Sequence, residues 1–140
     1  IDSEHDAKLK RMAGKADRVL VDAPCSGLGT LRRNPDLKWR QSPAAVAELG
    51  NKQLAILSAA AKMLKPGGRL VYATCSFMRA ENQQIVDQFL ATHPEFMRLH
   101  AGELLTAARI PLTMEQDLEL WPHVHQTDGF YAAVLQRAVA

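Results

Sequence analysis

The chain has 140 residues, 47% of them hydrophobic, and a net charge of +2. This length allows one domain with a real apolar core, and we treat residues 1–140 as one domain. The charge is too small to indicate nucleic-acid binding by itself, and no apolar run approaches the roughly 20 residues that a membrane-spanning helix needs.

The first half of the chain predicts helices around one buried strand. A short surface helix is expected over residues 4–15 and a Val- and Leu-rich strand over residues 18–23. An irregular basic stretch then covers residues 31–40. The pair Ser-Pro at 42–43 predicts a helix start, with Ser as the N-cap, and the apolar periodicity continues to about residue 64. Gly50 inside this helix predicts a break or kink.

The second half of the chain alternates between strands and helices. The elements expected there are a tight turn at 65–68, a strand at 69–74, a helix at 81–91, strands at 96–99 and 130–137, and a loop with one helical turn at 101–120. The last strand is expected to pair with 96–99 as an antiparallel edge on an otherwise parallel sheet. The pattern therefore predicts an α/β fold.

Two cysteines, Cys25 and Cys75, end the two apolar strands, and each is followed by serine. A helical stretch between the strands predicts one βαβ unit, so both thiols are expected side by side at the carboxyl edge of the sheet. A thiolate is a nucleophile. A packing role is the more common one for a single buried cysteine, but the matching positions of the pair favour chemistry. The pair also favours reduced thiols and a cytoplasmic location.

Asp22 lies at the end of the first strand and is expected to be buried by its apolar neighbours. Such a carboxyl can hydrogen-bond a substrate base, or it can cap the turn that follows. Both interpretations remain open from the residues alone.

The stretch at 31–40 holds four basic side chains around Trp39. These candidate RNA contacts are Arg32, Arg33, Lys38 and Arg40. Cations for phosphates and a flat ring for stacking suit a single-stranded RNA. The alternative is a solvated loop whose Trp39 packs on the domain.

Two further motifs are weak. His123 and His125 place two imidazoles on one side of an expected strand, but no third ligand has matching spacing, and we predict no metal site. Gly27 and Gly29 do not extend to a dinucleotide-binding pattern, because position 32 is Arg.

At this point the motifs resemble the RNA (cytosine-5)-methyltransferases of the Sun/Fmu rRNA type and the NOL1/NOP2/sun group. The matching segments are DAPCSG at 22–27, RRNPDLKW at 32–39, LKPGG at 64–68, YATCS at 72–76, EN at 81–82 and TDGFY at 127–131. The likeness covers nearly the whole chain, and its two cysteine motifs are the specific part.

The resemblance implies a reaction and a role for each site residue. Cys75 is expected to attack C6 of cytosine, and Cys25 to assist release of the methylated base. Asp22 is expected to contact the base. Asp22, Ala23 and Pro24 are expected to border the methyl group of the cofactor, S-adenosyl-L-methionine (SAM). The implied partner is RNA, in particular rRNA.

The resemblance also implies which part of the domain this chain represents. It corresponds to the C-terminal half of a Rossmann-like SAM-dependent methyltransferase fold, from the fourth strand onward. The Gly-rich loop and acidic residue that bind SAM in the family do not occur here. We therefore expect the isolated chain to be inactive and to self-associate through an exposed edge at the 18–23 strand.

Two rival functions remain. One is a non-catalytic RNA-binding or interaction module that kept the motifs without the cofactor half. The other is an amino-methyltransferase acting on an exocyclic nitrogen, which would carry a Pro-Pro-aromatic motif in place of residues 23–25 and need no second cysteine.

Overall fold

The computed structural model describes residues 7–139, which form an α/β fold around one five-stranded sheet. The strands are β1 (Ala16–Asp22), β2 (Leu64–Thr74), β3 (Phe96–Leu99), β4 (Leu118–Leu120) and β5 (Phe130–Arg137). The helices are α1 (Ala7–Arg11), α2 (Leu37–Arg40), α3 (Pro43–Ala61), α4 (Gln83–Thr92), α5 (Ala101–Ala107) and α6 (Pro122–His125). The first three residues of the helix predicted over 4–15 lie outside the described residues.

The sheet order is β1-β2-β5-β3, and β4 also pairs with β5. β1 and β2 are parallel, whereas β5 is antiparallel to β2, β3 and β4. Four strands therefore run in one direction and β5 alone runs in the other. The predicted pairing of 96–99 with 130–137 is confirmed, and β5 lies one place in from the edge because β3 and β4 share its far side.

β2 is longer than the strand predicted at 69–74, because it also includes residues 65–68, which were predicted to form a tight turn. Residues 65–68 form an irregularity in the ladder, where the pairing with β1 shifts between Ala16↔Leu64 and Arg18↔Arg69. Gly67 has a φ of 80°, a backbone conformation that suits glycine at a bulge. The Pro-Gly-Gly segment therefore bends β2 without ending it.

α3 begins where the sequence predicts and is continuous. The hydroxyl of Ser42 accepts a hydrogen bond from the amide of Ala45 at 3.1 Å, which is a normal N-cap. The predicted break at Gly50 is wrong, since helix runs through it. A Cβ at Gly50 would lie 3.5 Å from Ile85 Cδ1, so this glycine lies where α3 approaches α4.

The core lies between the sheet and the inner faces of α3 and α4. Its fully buried members include Leu57 from α3, Val86 and Phe89 from α4, and Leu70 and Leu135 from the sheet. Burial of this apolar surface fixes α3 against β1 and β2, and α4 against α3. The core therefore anchors the ends of the strands that carry the cysteines.

The connection after β3 differs in part from the expectation. One short helix, α5, is present as predicted, and β4 is an additional strand within the segment expected to be a loop. His123 and His125 lie on α6 and not on a strand, because Pro122 starts a helical turn. No helix among the described residues is long and apolar enough to span a membrane.

Candidate active site

The two cysteines meet where β1 and β2 end. These strands are parallel neighbours in which Asp22 pairs with Ala73, so both chains leave the sheet at the same edge. The Sγ atoms of Cys25 and Cys75 lie 3.2 Å apart, and both are free and half-buried thiols. The prediction that the thiols emerge side by side is confirmed, and one ligand can reach both sulfurs.

Two glutamines hold the main chain on either side of Cys25. Gln53 Nε2 donates to the carbonyl oxygen of Pro24 at 2.8 Å, and Gln41 Nε2 donates to the carbonyl oxygen of Ser26 at 3.1 Å. Gln53 is fully buried on the inner face of α3. The sequence analysis missed this role, although a polar residue on an apolar helix face was a signal that could have suggested it.

A backbone contact joins the loop after β1 to the loop after β2. The amide of Gly29 donates to the carbonyl oxygen of Cys75 at 2.9 Å, and the amide of Gly129 donates to the carbonyl oxygen of Gly29 at 2.6 Å. A Cβ at Gly29 would lie 2.7 Å from the Cys75 oxygen. Only glycine allows this approach, so three loops are connected through peptide groups beside the thiols.

A buried carboxylate also connects the two cysteine loops. Glu81 Oε1 accepts the amide of Ser26 at 2.7 Å, and Oε2 accepts the hydroxyls of Ser26, at 2.7 Å, and Ser76. Glu81 has no exposed surface. The sequence analysis placed Glu81 at the start of a predicted helix, and no local pattern there indicates that two distant loops supply its donors.

The two thiols differ in their electrostatic surroundings. Burial, the hydrogen bond to Cys75 and the negative charge of that residue together raise the pKa of Cys25 to about 12. Cys25 is therefore a neutral thiol at physiological pH and can donate its proton toward the sulfur of Cys75.

A cavity of about 760 Å³ opens beside the sulfurs. It is lined by the segment expected to contact a cofactor, Asp22, Ala23 and Pro24, and by Cys25 and Cys75. This volume lies within the range of small-molecule sites. A separate cavity of about 650 Å³ between α3 and α4 includes neither sulfur.

The expectation that Asp22 is buried is wrong. Its neighbours Val21 and Ala23 point into the core and are 5% exposed, whereas Asp22 is exposed. The reason is that side chains alternate between the faces of a strand, and Asp22 shares with the exposed Leu20 the face of β1 opposite Val21. The carboxylate is therefore open to the cavity.

Three of the four basic side chains proposed for RNA already have carboxylate partners. Arg32 and Arg33 bind Asp128 at 2.9 and 2.6 Å, and their hydrogen bonds lower the pKa of that carboxyl. Arg40 pairs with Asp36 one helical turn away, at 2.7 Å. All three guanidinium groups remain largely exposed. The ion pairs therefore orient these cations and still leave them accessible to a ligand from solvent.

Trp39 is 81% exposed. The alternative that its ring packs on the domain is therefore wrong for the described residues. Lys38 Nζ lies 5.0 Å from the centre of the ring. The helix that carries Trp39 begins at Leu37, whose side chain lies beside Gly27 of the Cys25 loop. A Cβ at Gly27 would lie 3.5 Å from Leu37 Cδ1. An exposed ring on a fixed support next to the Cys25 loop is suited to stacking.

Residues 7–139 contain no group of three or more His, Cys, Asp or Glu side chains that could hold a metal ion. His125 is engaged instead within its own helix, where Nδ1 accepts the amide of Trp121 at 3.1 Å. Nothing in this part of the chain supports a role for the two histidines as metal ligands.

Comparison with known proteins places the whole described chain in one group. A family model described as 16S rRNA methyltransferase RsmB/F matches residues 2–136. The chain is 43% identical over 122 residues to a probable ribosomal RNA small subunit methyltransferase B of Synechocystis sp., covering 87% of this chain and 27% of that protein. A probable methyltransferase B of Bacillus subtilis is 40% identical, with 86% and 27% covered. The chain thus spans about a quarter of the length of these relatives.

Solved structures agree with this grouping. The crystal structure of NSun6 from Pyrococcus horikoshii with SFG superimposes with a TM-score of 0.75 at 28% identity, covering 100% of this chain and 34% of that one. A second structure, of the protein PH0851, gives a TM-score of 0.78 at 40% identity, with 89% and 27% covered. These matches confirm the predicted fold, a C-terminal portion of a mixed and mostly parallel α/β methyltransferase sheet.

Proposed function

The chain belongs to the 16S rRNA methyltransferase RsmB/F family, and from this premise we propose that it carries the nucleophile half of a SAM-dependent RNA cytosine-C5 methyltransferase. The observation that carries the proposal is the 3.2 Å separation of the two sulfurs at one sheet edge. Two thiols at one base suit a reaction in which one bond to the enzyme forms and later breaks. The names of the relatives support ribosomal RNA as the substrate.

Cys75 is the nucleophile in this proposal. C5 of cytosine is unreactive until its ring gains electron density. The thiolate of Cys75 forms a bond to C6, and the electron pair of the C5–C6 double bond becomes available at C5. SAM, when bound, would supply the methyl group to that pair, with its S–CH3 bond breaking and S-adenosylhomocysteine leaving. The exposed carboxylate of Asp22 lies on the same cavity and can accept a hydrogen bond from the exocyclic amine of the cytosine, which orients the base.

Cys25 releases the product. Two of the three influences that raise its pKa come from Cys75, namely a hydrogen bond and a negative charge. Both disappear once the sulfur of Cys75 is bonded to C6, so the pKa of Cys25 falls and a larger fraction of this thiol gives its proton to solvent. Its thiolate then takes the C5 proton. The electrons of the C5–H bond restore the C5–C6 double bond, and the C6–S bond breaks to return the Cys75 thiolate.

The part of the 760 Å³ cavity that borders the two cysteines suits a methyl donor. Asp22, Ala23 and Pro24 line it together with both sulfurs, and a carboxylate at its wall can accept hydrogen bonds from a ligand. SAM would supply the methyl group there. The relative solved with SFG, a SAM analogue, supports this choice of donor. The remaining contacts to SAM are expected from segments outside this chain.

The RNA surface is proposed to be the exposed basic stretch. Lys38 and Arg40 flank Trp39 on α2, which adjoins the Cys25 loop. Arg32 and Arg33 extend the positive surface toward Asp128. Phosphates would meet the cations, and an unpaired base would stack on the indole ring.

The test uses the complete gene product with its RNA. Cys25→Ala is expected to trap a protein–RNA adduct that survives denaturing electrophoresis, because attack proceeds and release fails. Cys75→Ala is expected to form no adduct. Nucleoside mass spectrometry of wild-type reactions should show 5-methylcytidine. An adduct with Cys75→Ala but not Cys25→Ala would overturn the role assignment, and a methyl group on an exocyclic nitrogen would overturn the reaction.

A further inference from the structure

The two cysteine loops share one local design. Ser26 and Ser76 each follow a cysteine, and each hydroxyl accepts the amide of the residue two positions later. Ser26 Oγ accepts the amide of Leu28 at 3.3 Å, and Ser76 Oγ accepts the amide of Met78 at 3.1 Å. Each serine therefore closes a tight turn that fixes the direction of the cysteine before it.

One carboxylate joins the two turns. The hydroxyls of Ser26 and Ser76 both donate to Glu81 Oε2, while the amide of Ser26 donates to Oε1. The serines lie 50 residues apart in sequence and follow the ends of different strands. Glu81 is a hydrogen-bond partner that both of them share.

Glu81 is held in place by its own neighbours. The hydroxyl of Tyr72 donates to the Glu81 carbonyl oxygen at 2.6 Å, and Asn82 Nδ2 donates to the carbonyl oxygen of Ser76 at 2.9 Å. Burial and the charge of Glu81 raise the pKa of Tyr72, which therefore remains a neutral donor. The carboxylate is thus fixed from its backbone side as well as by the serines.

The charge of Glu81 has no opposite partner. Among residues 7–139, no Lys or Arg forms an ion pair with it, and it has no exposed surface. Burying a carboxylate is costly unless strong hydrogen bonds satisfy it. Its three donors all come from Ser26 and Ser76, the residues that follow the two cysteines. The hydrogen bonds that satisfy the buried carboxylate therefore also fix the two cysteine loops relative to each other.

We propose that Glu81 is a positioning residue that sets the separation of Cys25 and Cys75, so that both thiols can act on one base. This inference rests on the proposed function for its reaction, but the geometry can be tested without that reaction. Displacing a reacting group by 1 Å lowers rates by about 100-fold. We call the hydrogen bonds of Glu81 to Ser26 and Ser76 the clamp. Its loss is expected to lower the rate of the chemical step more than the affinity for the ligands.

The first experiment measures how readily the thiols react with each other. The complete gene product is treated with diamide, which takes two hydrogens from the thiols and leaves a disulfide. The Cys25–Cys75 peptide is then quantified by mass spectrometry over time. Glu81→Ala is expected to slow this pairing by at least about tenfold, because the sulfurs no longer lie in contact. Glu81→Gln keeps one acceptor for the Ser26 amide and is expected to recover part of the rate.

Matched controls separate positioning from general loss of stability. Phe96→Leu weakens the core at β3, away from the loops, and is expected to pair its thiols within about twofold of the wild-type rate. If Glu81→Ala does not fold, Ser26→Ala and Ser76→Ala each remove one arm of the clamp and should each slow pairing. Wild-type pairing rates in the Glu81 and serine variants, or equal slowing by Phe96→Leu, would overturn the proposal.

The second experiment measures methyl transfer to RNA. Glu81→Ala is expected to lower kcat at least about tenfold with the KM for SAM unchanged, because the carboxylate contacts neither ligand. Recovery of kcat by Glu81→Gln supports positioning, and a change confined to KM contradicts it. If the wild-type protein methylates no cytosine, the proposed function fails, whereas the thiol-pairing rates still decide the role of Glu81.

Discussion

The acidity of Cys25 should depend on the state of Cys75. The structure raises the pKa of Cys25 from an ordinary 9.0 to about 12, through burial first and then through the hydrogen bond and charge of Cys75. At a pH below both values, such a thiol is ionised about 1000-fold less than an ordinary one. Cys75→Ala removes the second and third influences and leaves burial, so the pKa of Cys25 should fall.

The assay is the pH dependence of alkylation of Cys25 by iodoacetamide, followed by mass spectrometry of its peptide in the complete gene product. Only the thiolate reacts. In wild-type protein, the rate should still be rising at pH 10 without a plateau. In Cys75→Ala, the midpoint of the profile should move to lower pH, and the rate at pH 8 should rise about tenfold for each pKa unit lost.

The midpoint of the pH profile reports the ionisation of Cys25. It does not change if the smaller side chain at position 75 merely lets iodoacetamide reach Cys25 more easily. Cys75→Ser serves as the control, because it keeps a hydrogen-bond partner without a negative charge, and its midpoint should lie between those of the wild type and the alanine variant. An unchanged midpoint in Cys75→Ala would refute the coupling of the two thiols. It would also remove the physical basis for the timing of product release.

Three further substitutions test contacts around the two cysteines. Gly29→Ala should lower the free energy of unfolding in urea by about 1–3 kcal/mol, because its Cβ would lie 2.7 Å from the Cys75 oxygen. The control Gly50→Ala should raise it by about 0.5–1 kcal/mol, and equal effects of the two substitutions would contradict the close approach at Gly29. Trp39→Ala should leave stability within about 0.5 kcal/mol and weaken RNA binding by about 1–3 kcal/mol in a filter assay, and unchanged RNA affinity would exclude stacking. Gln53→Leu keeps the side-chain volume but leaves a buried carbonyl unpaired beside the site, so it should cost about 1–3 kcal/mol, and a neutral result would show that this amide supports nothing.

The sequence was sufficient where local patterns decide the structure. The segment at 130–137, which follows Asp128-Gly129, is predicted as a strand and forms β5 with the same bounds. Ser42 caps α3 as expected. The adjacency of Cys25 and Cys75 follows from two apolar runs, because parallel neighbours place their ends together. Each of these predictions needs only the period of a strand or the chemistry of a helix terminus.

The sequence failed where distant segments decide the environment. The burial of Glu81 depends on donors from a loop 55 residues away, and no local pattern reveals such a partner. Gly50 looks like a helix breaker, but α3 is continuous through it, and a Cβ there would make only an ordinary contact with Ile85. Asp22 lies between buried residues and is nevertheless exposed, because it points to the face of β1 that also exposes Leu20.

The link through Gly29 and Gly129 has a consequence for how such a site diversifies. Peptide groups make this junction, so it does not depend on which side chains occupy the neighbouring loop positions. Positions of these loops outside Ser26, Ser76 and Glu81 can therefore vary while the peptide junction between the loops is kept. Under the proposed function, the contacts to RNA and the spacing of the sulfurs can then evolve separately, as long as both glycines and the residues that bind Glu81 persist.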